Sequence, residues 1–313
     1  VYKHTIDTQR GAAWADPDWS MFDMGGYGSG ARFFLEFALR KRNLTLAEWV
    51  LAHGANPNAA PARDTRFPGT TLHQEALRQG FTEMADLLVR YGASVSAANL
   101  TDRERLTPAS LRMNRDEVQT LFDRNPDLKR LPDPMFAAAE RDRADVVALL
   151  LDLGMSADVH DANNERPLHR AAVNNSLAVA KLLLERGAEI DPRERRYHST
   201  PIGWASYGDH ATMVTFLGRF SRDFRALCFT GCVERVRELL AEDPSLARQV
   251  DDKGITPLWW LPDDETVASE VIDALMKAGA DPSVRSKDGG TAAESARQRG
   301  LTAAAAQLDA RRV

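Results

Sequence analysis

The segment Arg166-Pro-Leu-His-Arg-Ala-Ala172 decides the fold, because it opens a unit of sequence that recurs along the chain. This opening reads as a short helix. The stretch that follows, Leu177-Ala-Val-Ala-Lys-Leu-Leu-Leu184, has the apolar spacing of a second helix with one buried face. Gly187 then ends that helix, since glycine readily takes the left-handed conformation that closes helices. The unit is therefore a pair of short helices.

The same order of features returns elsewhere in the sequence. Thr200-Pro-Ile-Gly-Trp-Ala205 and Thr256-Pro-Leu258 repeat the opening, and each leads to a further apolar stretch. Gly154 and Gly187, which close two neighbouring units, are 33 residues apart. One unit cannot bury its own leucine pairs, so neighbouring units have to stack. The period and the order of features predict an array of helix pairs.

This pattern resembles the ankyrin repeat, whose unit opens with T-P-L-H-x-A-A, carries a second helix ending in Leu-Leu and closes on Gly-Ala. The resemblance covers roughly residues 32–313. It implies an all-α solenoid of about nine helix pairs with short finger loops. The expected pairs start near Arg32, Thr70, Thr107, Asp133, Arg166, Thr200, Asp223, Thr256 and Thr291. The eighth pair departs from the pattern through an insertion around Pro262-Asp-Asp-Glu265.

Residues 1–31 do not fit the repeat. They are rich in aromatic residues, and we predict that they cap the first repeat, whose apolar face would otherwise be exposed. The predicted domains are thus a capping segment, 1–31, and an ankyrin-repeat domain, 32–313. Gly25-Gly-Tyr-Gly-Ser-Gly30 lies at the junction, and such a loop can hold a phosphate. Because no Gly-Lys-Ser/Thr follows it, we favour a flexible lead-in.

Composition narrows the functional classes. The 313 residues are 43% hydrophobic and 27% charged, as in soluble globular proteins. A net charge of -5 makes nucleic acid an unlikely partner, and no apolar run approaches the ~20 residues of a membrane span. Two cysteines fit a reducing compartment. We expect a cytoplasmic monomer, and secretion into a host cell as an effector stays open.

The sequence gives no sign of a reaction centre. Its histidines and cysteines lack metal-ligand spacing, and there is no nucleophile elbow. We therefore predict no catalytic residue, no cofactor and no metal. The resemblance implies a structural role for His73 and His169, whose imidazoles would hydrogen-bond backbone between repeats. Cys228 occupies a small-residue position, for which we favour a packing role.

Aromatic and arginine side chains on the first helices are the candidate binding residues. In the ankyrin family the residue after the Leu-His pair faces the concave groove, which implies that position for Arg170, Trp204 and Trp260. Tyr207 lies one turn after Trp204 on the same face. Trp, Tyr and Arg often dominate interface energies, so we predict a partner-binding surface. Packing between neighbouring repeats is the alternative.

A basic run, Arg193-Glu-Arg-Arg-Tyr-His198, falls where the family has a projecting finger. A solvated loop is the simpler interpretation. The functional interpretation is contact with an acidic partner surface, and it involves Arg193, Arg195, Arg196 and Tyr197.

The favoured function is a non-enzymatic module that binds another protein through its concave groove and its finger loops, as scaffold, adaptor or inhibitor. Two alternatives remain. A small-molecule or enzymatic pocket would lie between the glycine-rich segment and the repeats, or in the aromatic groove. The repeats would otherwise be the interaction part of a longer enzyme.

Overall fold

The secondary structure is a series of short helices joined by turns. The computed structural model describes residues 30–59, 71–94 and 101–311, which contain no β-strand and only an isolated bridge between Arg285 and Thr291. The all-α prediction is thus confirmed for these residues. The predicted capping segment and its glycine-rich loop fall, apart from the last two residues, outside them. Within these ranges no helix combines the length and apolar character that a membrane crossing needs.

The chain divides into two units, Val1–Lys129 and Arg130–Val313. Unit one has three helix pairs: α1 (Gly30–Arg40) with α2 (Leu44–Ala52), α3 (Leu72–Arg78) with α4 (Thr82–Arg90), and α5 (Asp102–Leu111) with α6 (Arg115–Arg124).

Unit two continues the pattern. Its helices are α7 (Asp133–Ala139), α8 (Ala144–Asp152), α9 (Pro167–Val173), α10 (Leu177–Glu185), α11 (Pro201–Tyr207), α12 (Ala211–Gly218), α13 (Phe224–Phe229), α14 (Val233–Glu242), α15 (Glu265–Lys277), α16 (Ala292–Gln298) and α17 (Thr302–Ala310). Three short 3-10 helices, Pro126–Arg130, Pro244–Arg248 and Pro257–Trp259, complete the described secondary structure.

Like elements stack on like elements within unit two. First helices contact first helices, α7 with α9 and α9 with α11, and second helices do the same, α8 with α10. The first helices place Ala171 and Ala205 in the interior, where their small side chains permit close approach. The second helices contribute Leu150 and Leu183, which are fully buried. The leucine pairs therefore form the core, as the stacking argument predicts.

The third pair does not begin where the Thr-Pro pattern places it. α5 begins at Asp102 and not near Thr107, so Pro108 lies inside the helix. Thr101 is the N-cap: its hydroxyl accepts from the Glu104 backbone N–H at 3.3 Å, and the Glu104 carboxylate accepts from the Thr101 N–H at 3.0 Å. This reciprocal capping box satisfies two backbone donors, which Thr107 does not do, and it fixes the true start.

Replacing Thr101 by alanine should therefore lower the free energy of unfolding by about 1 kcal/mol, the usual value of an N-cap. Urea denaturation followed by circular dichroism measures this change. Thr107→Val is the matched control, because it removes a hydroxyl that caps no helix, and its effect should be smaller. A Thr101→Ala variant as stable as the unmodified protein would show that this capping box does not stabilise the start of α5.

The structure of the eighth pair differs from the prediction, which placed an insertion around Pro262–Glu265. Its first element is a single 3-10 turn, Pro257–Trp259, and its second helix, α15, is the longest in the described residues at 13 residues. Pro262 explains the short turn, because proline has no N–H to continue a helix and restricts Leu261 before it. The expected insertion residue Glu265 is in fact the first residue of α15.

The acidic run at this point serves as helix caps. The carboxylate of Asp264 accepts from the backbone of Thr266 at 2.8 Å and starts α15. Glu265 accepts from the backbone of Thr302 at 2.7 Å and of Ala303 at 2.8 Å, at the start of α17. These bonds match the preference of helix N-termini for negative charge.

Candidate functional site

Arg170, on α9, is held by contacts to the preceding repeat. Its guanidinium pairs with Glu140 at 3.4 Å, contacts Glu165, and lies 5.2 Å from the centre of the Phe136 ring. The side chain is one-third exposed. Arg170 therefore has its charge balanced by two carboxylates of the protein itself.

Glu165 is the more buried of those two carboxylates. Only 7% of it is exposed, and burial raises the pKa of its carboxyl, while the charge of Arg170 opposes the rise. Glu140, Asp161 and Glu194 add further negative charge nearby. Arg170 thus offsets the negative charge that these acidic side chains gather around Glu165, a role that its sequence position alone does not indicate.

His169 joins two repeats, as the resemblance implies. Its Nδ1 accepts from the Arg166 backbone N–H at 3.1 Å, and its Nε2 lies 3.3 Å from the carbonyl oxygen of Ser199 in the next repeat. The imidazole is fully buried. The ring of Trp204 meets it edge to face, with 5.4 Å between ring centres, so Trp204 is half-buried against the neighbouring repeat.

Burial also lowers the pKa of His169, to about 4. Between about pH 6.5 and pH 4 the unfolded chain therefore binds a proton that the folded chain does not bind, so the free energy of unfolding falls as the pH falls. The full loss is about 3 kcal/mol. His169→Gln should flatten this dependence of stability on pH, because glutamine does not titrate. Glutamine suits the position, since Gln74 holds the same place in the capping box of the second pair. Urea midpoints measured at several pH values provide the test, and equal slopes for both proteins would contradict it.

Tyr207 ends α11 and is 90% exposed. Phe229 ends α13, the first helix of the next pair, and is 42% exposed. Both residues therefore hold the same place in their repeats. Two exposed aromatic side chains thus stand at equivalent positions of successive first helices, and sequence reasoning identified only the first of them.

Trp260 follows the 3-10 turn of the eighth pair and is half-buried. The guanidinium carbon of Arg225, on α13, lies 3.6 Å from the centre of its ring. Arg299, which follows α16, lies 5.7 Å from the centre of the Phe229 ring. Arg225, Phe229 and Arg299 were missed from sequence, because none of them stands at the motif position that the family turns toward the groove.

The basic finger is organised by a buried acid. Glu194 is 2% exposed, and its carboxylate accepts from the backbone of Arg196 at 2.6 Å and of Tyr197 at 2.8 Å. These bonds fix a turn whose outer side carries Arg196, with its guanidinium 5.2 Å from the centre of the Tyr197 ring. Tyr197 itself is 66% exposed.

The other two finger arginines have partners within the protein. Arg193 forms an ion pair with Asp223 at 2.9 Å. Arg195 donates from its backbone to the carbonyl of Asn163 at 2.7 Å and from its side chain to that of Ala162 at 3.0 Å, so neighbouring fingers are joined. All four predicted finger residues are exposed, and among the described residues no ion pair or hydrogen bond is formed by the side chains of Arg196 and Tyr197.

The two cysteines have environments that suppress reactivity. Cys228 is fully buried and Cys232 partly buried, and burial raises the pKa of both thiols. Since the thiolate is the reactive form, both are poor nucleophiles at neutral pH. Across the described residues no three acidic, histidine or cysteine side chains are grouped so that they could hold a metal ion.

A polar cavity of about 390 Å³ lies in unit one, between α5 and α6. One of its arginines is neutralised within the protein, because the Glu117 carboxylate accepts from Arg105 at 2.8 Å.

Comparison with known proteins gives a consistent family. A family model for ankyrin repeats matches residues 106–194 and 135–227, with three copies of the repeat. An ankyrin repeat protein of Escherichia coli is 25% identical over 188 residues, which cover 56% of this chain and 93% of that protein. An ankyrin repeat protein of fowlpox virus is 30% identical over 147 residues, 46% of this chain.

Some relatives are much longer than the shared region. The match spans 21% of the fowlpox protein, and a human palmitoyltransferase is 31% identical over 83 residues, 26% of this chain and 13% of the enzyme. These similarities concern the repeats. The stacked helix pairs, the His169 bonds between repeats and the family match agree, and residues 106–227 of this chain are therefore ankyrin repeats.

Proposed function

We propose that this chain binds a protein partner through the first helices of unit two and the adjoining finger. Ankyrin repeats are in general protein–protein interaction modules, which supports this class of function. The observation that carries the proposal is Tyr207. A tyrosine that is 90% exposed contributes little to folding, and such residues are favoured where a partner buries them.

The surroundings of Tyr207 support a binding surface. Trp204 and Trp260 are half-buried on the same series of first elements, so each retains ring area that a partner can cover. Phe229 adds a second exposed ring at the place equivalent to Tyr207. Arg196 and Tyr197 extend the surface onto the finger, and the positive charge of Arg196 would aid the rate of association with an acidic partner.

Affinity capture with a matched pair of variants tests the proposal. Tyr207→Ala removes an exposed ring from the first-helix side. Phe220→Ala removes a ring that is 50% exposed and contacts Phe216 of α12, on the second-helix side. Proteins that bind the unmodified chain and Phe220→Ala, but not Tyr207→Ala, would support the proposal. A set of captured proteins that both variants retain would overturn it.

A further inference from the structure

Arg225 differs from the other arginines on the first elements of unit two. It is exposed, and among the described residues it forms no ion pair, its only recorded contact being the ring of Trp260 at 3.6 Å. The others each pair with a carboxylate: Arg166 with Asp158, Arg170 with Glu140, Arg297 with Asp309 and Arg299 with Asp263. Among the arginines of these first elements, Arg225 is therefore the one whose charge no carboxylate of the described residues balances.

The short turn of the eighth pair determines which side chains lie around Arg225. Because that element ends after one turn, Arg299 from the ninth pair reaches the Phe229 ring of the seventh at 5.7 Å. Arg299 is fixed there by bonds to the carbonyl of Leu261 at 2.8 Å and to Asp263 at 2.5 Å. Arg225, Phe229, Trp260 and Arg299 thus form one group, which we call the Arg225 cluster.

The geometry of Arg225 leaves its hydrogen-bond donors available. A guanidinium that lies over an aromatic ring uses its face for that contact, while its N–H groups lie in its plane. A carboxylate is the group that matches such a planar set of donors, and it can accept two parallel bonds. Phe229 lies one helical turn after Arg225 on α13, and Trp260 carries the Arg225 guanidinium, so each ring offers apolar area close to this charge.

We propose that the Arg225 cluster binds an acidic segment of a protein partner, with a carboxylate on the Arg225 guanidinium and a neighbouring apolar side chain against the two rings. This inference rests on the proposed function, since it names the partner chemistry for the same surface. It predicts a short motif in which Asp or Glu stands beside a large apolar residue.

The charges of the site favour a protein segment over a nucleic acid as the partner. Arginine and aromatic rings also bind single-stranded nucleic acids, but affinity there needs a groove of several positive charges along the backbone. Here the neighbouring Arg299 is already neutralised by Asp263, and the chain carries a net charge of -5. One free arginine beside two rings fits one carboxylate and one apolar side chain.

The test uses a display library of random dodecapeptides selected in parallel on the full chain and on Arg225→Gln. Peptides from the full chain should be enriched in Asp or Glu next to Phe, Trp or Leu. Peptides from Arg225→Gln should keep the apolar residue and lose the acidic one. A library that yields no acidic enrichment on the full chain, or no binding peptide, overturns the inference.

A synthetic peptide of the enriched sequence then measures the pair directly. Its affinity for Arg225→Gln should fall about tenfold or more, and replacing its acid by the amide should remove the difference between the two proteins. Arg237→Gln is the matched control, because Arg237 lies on α14 and pairs with Glu234 and Glu270. Equal affinity for the full chain and Arg225→Gln would exclude the proposed contact.

The remaining outcomes separate this inference from the function on which it rests. If Tyr207→Ala and Trp260→Ala lose the peptide but Arg225→Gln does not, the surface binds proteins and only the Arg225 contact is wrong. If all three variants bind normally, the peptide site lies elsewhere and the proposed function fails too. Displacement of the peptide by oligothymidylate, with loss of oligothymidylate binding in Arg225→Gln, would point to nucleic acid and overturn the inference.

Discussion

Replacing Leu183 by alanine is expected to lower the free energy of unfolding by about 2–5 kcal/mol. The side chain lies on α10 and is 0% exposed, so its removal loses burial and leaves a cavity between packed helices. Leu184→Ala is the matched control, because it makes the same chemical change one residue later at a half-buried position. Urea denaturation should show a clearly smaller loss for Leu184→Ala.

The damage from Leu183→Ala should also be local. Stacked repeats interact mainly with their neighbours, so the loss should concentrate in the fourth to sixth pairs. Hydrogen exchange resolved along the chain measures this distribution, and α7 to α12 should show the largest increase. Exchange that rises by the same amount in every described helix would contradict a nearest-neighbour array.

The repeat pattern predicts the elements of the fold better than their ends. Residues whose role lies inside the repeat, such as His169 and Leu183, are buried as the pattern predicts, because stacking encloses them between neighbouring units. The pattern is less reliable for His73, predicted for the same role as His169, because its Nδ1 has no hydrogen-bond partner among the described residues.

Thr107 is wrong as the start of a helix, because the capping box at Thr101 supplies side-chain acceptors for backbone N–H groups. The Thr-Pro pattern does not include such a box. Pro262 shortens the first element of the eighth pair through a local effect on the backbone, and the spacing of the repeats carries no information about that effect.

The surface is less predictable because its charges pair across repeats. Arg170 and Arg193 look available from sequence, yet Glu140 and Asp223, each about one repeat away in the chain, neutralise them. A motif fixes the position of a residue within its repeat and not the identity of the side chain opposite. Conversely, Arg225 and Phe229 lie where the repeat length changes, and alignment to the motif gives them no assigned role.

The proposed binding surface gives the second large expected effect. Trp204→Ala and Trp260→Ala should each weaken partner binding by about 2 kcal/mol or more, the scale of interface hot spots. Both rings are half-buried in the free protein, so each variant should also lose some stability, but less than Leu183→Ala. Calorimetric titration with a captured partner and thermal melting of the same samples measure the two quantities.

Tyr207→Ala separates binding from packing. Since Tyr207 is 90% exposed, its removal should leave the melting temperature unchanged while affinity falls. The alternative, in which the tryptophans serve only to pack neighbouring repeats, predicts the reverse pattern: Trp204→Ala and Trp260→Ala would lower stability, and affinity would be the same in all three variants. That result would remove the tryptophans and Tyr207 together from the binding surface, because one partner covering this row of first elements has to touch the most exposed ring in it.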